Sequence, residues 1–179
     1  MTCIVGLTHK NKVYIGGDSA GVAGYNLQVR SDEKVFKKDN MIFGFTSSFR
    51  MGQIIRYCLK IPEHFPSKND YEYLCSTFID ALIGCFKEKG YATVKDGSVS
   101  GRIFLLGYKG NLYKIESDFQ VGKVFDCFDA TGYGQNFALG ALSAIATGKI
   151  EPEKCIEAAL QAAEKFSAGV SSPFKIVTL

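Results

Sequence analysis

The chain opens MTCIVGLTHKNKVYIGGDSAG over residues 1–21. Cys3, Val5 and Leu7 alternate with Ile4 and Gly6, and a polar His9-Lys10-Asn11-Lys12 turn follows. Val13-Tyr14-Ile15 then resumes the apolar pattern. This spacing predicts a hairpin with strands over 2–8 and 12–18. A secretory leader would need a basic start and a longer apolar run, and a disordered tail would be polar. Residue 2 is thereby expected to be fixed in space, as a residue must be if it is to do chemistry.

Beyond the hairpin, an irregular glycine-containing stretch leads to a second strand pair, Lys34 to Lys37 and Met41 to Thr46. The period then changes. Met51, Ile54, Ile55, Cys58 and Leu59 recur at helical spacing up to Pro62. After the loop IPEHFPSKND, Asn69 or Asp70 is placed to cap a helix carrying Tyr71, Leu74, Phe78, Leu82, Cys85 and Phe86, with Gly90 as its stop. RIFLLGY and NLYKIE predict another hairpin around Lys109-Gly110-Asn111, and VGKVFDCFDATG a further strand and turn. Gly132-Tyr133-Gly134 opens a third helix through Ile145. Pro152 stands in the first turn of a fourth, and FKIVTL is the last strand. Hairpins with helices gathered in pairs predict an α+β fold: a four-layer αββα sandwich of two antiparallel sheets, formed by residues 1–179 as one domain.

Composition narrows the function classes. A net charge of +3 with scattered basic residues gives no basic face for nucleic acid. No apolar run approaches the roughly 20 residues that span a bilayer. The six cysteines form no C-x-x-C pair and read as reduced, buried thiols of a cytoplasmic protein. His9 and His64 are the only histidines. Both fall in loops and read as solvated, which leaves little material for a metal site or a Ser-His-Asp triad. No cofactor is called for.

Three polar residues are placed for chemistry. Thr2, Asp18 and Lys34 follow one another at intervals of 16 residues. Thr2 starts the first strand and Asp18 ends its hairpin partner, so both lie at one end of the hairpin. Singly, each has a bland reading: a common second residue, a turn aspartate, a solvated lysine. Together they resemble a device. An N-terminal Thr carries nucleophile and base on one residue, because a free α-amine has a pKa of about 7.7–8.0. A nearby ammonium stabilises the alkoxide, and a carboxylate orients the ammonium.

TCIVGLTHKNKVYIGGDSAGVAG resembles the opening of the proteasome β-subunit and HslV family. The likeness continues through Phe45-Thr46-Ser47-Ser48 and GYGQNFALGAL, and the element order is similar to that of N-terminal-nucleophile hydrolases. The resemblance implies Thr2 as nucleophile, Asp18 as partner of Lys34, and Lys34 as electrostatic activator. It implies the Ser47 N–H, or that of Ser48 with the register one residue later, as oxyanion hole. The family's serine near the nucleophile falls at Tyr133, with Thr131 as the other hydroxyl at hand. Its Asp-x-x-Ser falls near Glu164 and Ser167, and Ser167 is taken as the site residue.

The leading expectation is a threonine peptidase of a self-compartmentalising complex, with Thr2 exposed by removal of Met1. Its polypeptide substrate lies along Ala20, Gly21 and Val22 by strand addition, with Asp32, Phe36 and Phe49 as pocket residues. The resemblance implies a homo-oligomeric ring, with two rings stacked. Any ATP-dependent unfoldase is a separate chain, because no G-x-x-x-x-G-K-[ST] loop occurs. Two other readings remain open: an amidohydrolase acting on a small amide, and a noncatalytic ring subunit.

Overall fold

A computed structural model describes residues 1–179. Strand β1 (Cys3–His9) pairs antiparallel with β2 (Lys12–Gly17). The turn between them puts Lys10 and Asn11 at φ 48 and 61°, the paired left-handed conformation that suits the twist of a two-residue hairpin. Then come β3 (Ala20–Ala23), β4 (Asn26–Val29), β5 (Val35–Lys38), β6 (Met41–Phe45) and helix α1 (Phe49–Tyr57). Helix α2 (Asp70–Tyr73) passes through a π-helical segment, Leu74–Phe78, into α3 (Ile79–Glu88). Asn69 caps α2 in a capping box with Glu72. The chain continues through β7 (Thr93–Lys95), β8 (Ser98–Ser100), β9 (Phe104–Tyr108), β10 (Asn111–Ile115), β11 (Val121–Lys123) and β12 (Phe128–Gly132). It ends with α4 (Gln135–Ile145), α5 (Pro152–Phe166) and β13 (Lys175–Thr178).

Two antiparallel sheets result. One has the order β12-β1-β2-β13 and the other β11-β10-β9-β6-β5. Helices α4 and α5 cover the first through Cys3, Val5, Leu7, Ala159 and Leu160. Helices α1 and α3, with the turns before α3, cover the second through an aromatic-rich cluster including Phe43, Phe78, Phe86 and Phe104. Between the sheets lies a thin layer of Ile4, Val13, Ile15, Val35, Ile42, Leu105 and Leu112. Strand β1 is buried on both faces, which is why its sequence is nearly all apolar. A side chain at Gly44 would stand 2.5 Å from Ile4 and 2.6 Å from Ile15, so the bare backbone there lets the sheets close. This is the expected αββα sandwich.

Several expectations need correction. The stretch before Lys34 is a hairpin, β3–β4, and a second short hairpin, β7–β8, was not foreseen. Both are largely exposed and lack the alternation by which strands are read. His64 is not solvated. Its ring stacks on Tyr73 at 4.3 Å and meets the Tyr108 hydroxyl at 2.7 Å. The six cysteines are free, but Cys75 and Cys127 are exposed.

Candidate active site

The site forms where the two sheets meet at one end. Thr2 enters β1, and its carbonyl accepts from the Gly134 amide at 3.3 Å. Gly132, at φ 100°, lies so close that a Cβ there would overlap the Thr2 carbonyl. Asp18 leaves β2, the hairpin partner of β1. Lys34 precedes β5, so it reaches across from the other sheet.

Thr2, Asp18 and Lys34 are all buried here, at 4%, 2% and 2% exposure. The Lys34 ammonium donates to Thr2 Oγ1 at 2.9 Å, to Asp18 Oδ1 at 2.8 Å and to the Ala20 carbonyl at 2.6 Å. Its three hydrogens are thus all used. Asp18 also accepts from the Cys3 amide at Oδ1 and the Ala20 amide at Oδ2, each at 2.9 Å, and from the Ser171 amide at 3.5 Å. A buried ion pair persists only when its remaining donors and acceptors are satisfied in this way. Burial lowers the Lys34 pKa below that of an ordinary lysine, against the pull of Asp18. Burial also pushes the neighbouring Cys3 thiol up to about 12, and Cys3 is fully buried while Thr2 lines the cleft. Thr2 Oγ1 donates to the Met1 carbonyl at 2.5 Å, and with Met1 attached the Thr2 nitrogen is an amide.

Thr2 and Lys34 open onto a cleft of about 270 Å3, lined also by Gly21, Val22, Leu27, Arg30, Ser47 and Phe49. Ser47 sits at φ 66°, a conformation that favours glycine and that a serine adopts at some cost. The Ser48 amide donates to the Thr46 carbonyl at 2.7 Å, whereas the Ser47 amide has no acceptor within the chain. Gly21, Val22 and Phe49, read as substrate-binding residues, line the cleft. Ala20, read with them, does not: it is fully buried, and its amide and carbonyl are hydrogen-bonded to Asp18 and Lys34.

Other expected residues lie elsewhere. Phe36 is 2% exposed and stacks on Phe43 in the core, with ring centroids 5.4 Å apart. Asp32 and Phe36 face a separate recess on the far side of Phe45 and Phe49. Ser167 is buried, but its hydroxyl accepts from the Gly169 amide and makes no bond to Thr2, Asp18 or Lys34. Glu164 accepts from the Ser172 amide. Tyr133 is 65% exposed and Thr131 is buried in β12 opposite Ile4; neither hydroxyl bonds to Thr2. Sequence reasoning missed the amides of Cys3 and Ser171 and the carbonyl of Ala20, because backbone groups carry no signal in residue identity. It also missed Arg30. No three His, Cys, Asp or Glu side chains gather as metal ligands, and no helix is long and apolar enough to cross a membrane.

Among curated proteins none matches the chain. Solved structures are similar in fold. BPH of Thiobacillus denitrificans, in a complex with epoxomicin, superposes with a TM-score of 0.82 at 19% identity, over 99% of this chain and 98% of that one. HslV from Trypanosoma brucei gives 0.69 at 18%, over 99% of each chain. An Anbu (Gly-1) mutant from Hyphomicrobium sp. strain MC1 gives 0.71 at 15%, over all of this chain and 81% of that one. At these identities the likeness is one of fold, that of the proteasome-like N-terminal-nucleophile hydrolases. The family model for the proteasome subunit matches residues 1–177, and with that match the chain belongs to the proteasome subunit family.

Proposed function

We propose that the protein is a threonine peptidase whose nucleophile is Thr2 after loss of Met1. The observation that carries this reading is the buried Lys34 ammonium, 2.9 Å from Thr2 Oγ1 and clamped by Asp18. Freed of Met1, the Thr2 nitrogen becomes an amine able to take the hydroxyl proton. Lys34 stabilises the alkoxide as it forms. Burial holds its pKa down even with the Asp18 carboxylate beside it, so a second negative oxygen forming at Thr2 would stabilise its charge further. Thr2 Oγ attacks the substrate carbonyl carbon, and the carbonyl oxygen takes the negative charge opposite the Ser47 amide. The C–N bond then breaks, the amine leaves with the proton, and an ester to Thr2 remains. Water hydrolyses the ester and restores the hydroxyl.

Substrate extends along Gly21 and Val22 on β3 by strand addition. A homo-oligomeric ring, doubled by stacking, would shield such sites in the cytoplasm, and a separate ATP-driven unfoldase would feed it. Sedimentation of a monomer at micromolar concentration would remove the ring from the reading. The test of chemistry uses the chain made behind a cleavable leader, so that it begins at Thr2. That form is expected to cut a fluorogenic peptide, the Met1-bearing form to be inert, and Thr2→Ala to lose at least about 10³-fold in turnover. Equal activity in all three forms would overturn the assignment.

A further inference from the structure

Arg30 belongs to the same cleft but has no part in the reaction just described. Its position is fixed from four sides. Its amide donates to the Ser19 carbonyl at 2.8 Å. Its aliphatic stem lies across Gly21, where a Cβ would stand 2.7 Å from Arg30 Cδ. Its guanidinium lies over the Phe49 ring, 3.9 Å from the centroid. Asp32 holds the fork, accepting from Nε at 2.7 Å and from Nη2 at 2.6 Å.

Asp32 stands in the recess behind, outside the cleft. Among the side chains that line the cleft, Arg30 and Lys34 are cationic and none is acidic. Nη1 and the second hydrogen on Nη2 have no acceptor within the chain. A planar guanidinium held over a ring and braced on one edge by a carboxylate keeps its remaining donors in a fixed plane, ready for a second carboxylate. Lys34 spends its three hydrogens inside the site, so Arg30 is the cation left to read a substrate.

We infer that Arg30 is a specificity-determining residue that selects peptides carrying a carboxylate close to the scissile bond. This rests on the peptidase reading of the cleft for its meaning, though binding tests it without cleavage. Asp32 is a positioning residue: it fixes the fork while leaving the rest of the guanidinium to substrate. The carboxylate has two sources, an Asp or Glu side chain or the free C-terminus of a short peptide.

The experiment uses Thr2→Ala protein made behind a cleavable leader so that it begins at residue 2, because Met1 lines the cleft, and fluorescent peptides that differ at one residue, Glu, Gln or Lys, with the C-terminus amidated. A fourth peptide carries Gln and a free C-terminal carboxylate. Glu over Gln is expected to bind about tenfold more tightly, the gain falling as salt is raised. A gain for the fourth peptide alone would assign the terminal carboxylate as the ligand. Arg30→Met in the same background is expected to abolish the preference, and Arg30→Glu to turn it toward Lys. Arg30→Lys keeps the charge without the fork and is expected to hold part of the preference, which distinguishes recognition from bracing of the loop. Circular dichroism checks that each variant is folded. Equal binding of all four peptides, or a preference that survives Arg30→Met, overturns the inference. Absence of cleavage by the chain beginning at Thr2 overturns the peptidase reading and leaves the binding comparison standing.

Discussion

Two cation–aspartate pairs stand at this cleft. Lys34 and Asp18 lie 2.8 Å apart with their side chains 1% and 0% exposed. Arg30 and Asp32 lie 2.6 Å apart with side chains 32% and 42% exposed. Ranked by distance, the second pair is the stronger. Ranked by consequence, the order reverses. Water solvates and screens the exposed pair whether or not its partner is present, and such pairs contribute about 0–1 kcal/mol. The buried pair has no water to fall back on. Its partners are the Thr2 hydroxyl, the Ala20 carbonyl and the Cys3 and Ala20 amides, so removing one member leaves the other as a bare charge in the interior.

The most severe way to probe this contrast is Asp18→Ala. It leaves Lys34 unpaired and is expected to lower stability by about 3–5 kcal/mol. It is also expected to lower turnover by orders of magnitude, read by urea titration and peptide hydrolysis on the same preparation. A loss near that of an exposed pair would mean that water reaches Lys34.

Gly132→Ala attacks the same site from the backbone. The new Cβ meets the Thr2 carbonyl at a positive φ, and strain of this kind costs about 1–3 kcal/mol. Thr2 is pushed from Lys34, so kcat is expected to fall while substrate binding changes little.

Titration sharpens the comparison. Burial holds the Lys34 pKa down, whereas an unfolded lysine titrates near 10.4. Between those two values the unfolded chain binds more protons, so through this group stability rises with pH; below the folded value that gain is lost. Cys3, Tyr73 and Tyr113, each pushed up to about 12 by burial, act in the opposite direction, the thiol above about pH 8.5 and the tyrosines above about pH 10. The rise is therefore sought as the difference between wild type and Lys34→Met, in which the contribution of Lys34 is expected to be absent.

The smallest effect belongs to the exposed pair. Asp32→Ala is expected to change stability by less than about 1 kcal/mol and to leave turnover of an uncharged peptide near normal. A loss as large as that of Asp18→Ala would erase the distinction drawn from burial.

The contrast also separates what the chain revealed in advance from what it hid. Thr2 and Asp18 were legible together because hairpin geometry alone brings residue 2 and the end of β2 to one place. Lys34 became legible through its spacing and through resemblance, since nothing local says that β5 of the second sheet will cross to the first. Phe36 was misplaced because its position in β5 fixes which face it takes, and β5 turns that face toward Phe43. Arg30 was missed because an exposed hairpin without alternation hides the residue that follows it. His64 looked solvated because its partners, Tyr73 and Tyr108, are contributed by distant elements. The π-helical turn before α3 left no mark, because Leu74, Phe78, Leu82 and Phe86 are spaced like any helical face.

Met1 is 43% exposed, but the peptide bond joining it to Thr2 is not correspondingly open. Thr2 is 4% exposed, its carbonyl is held by Gly134, its hydroxyl by Lys34 and the Met1 carbonyl, and Met1 itself presses on the bare backbone of Gly169. An exopeptidase must surround the residues on both sides of the bond it cuts. On the proposed reading, in which Met1 is removed, that bond would be open to cutting while β1 is undocked, and trimming would be a race between two rates, cutting and folding, run on the emerging chain. Once β1 has paired, the outcome is stored: the mass of each purified molecule records which process finished first, and later exposure of folded protein to aminopeptidase should leave that ratio where synthesis set it.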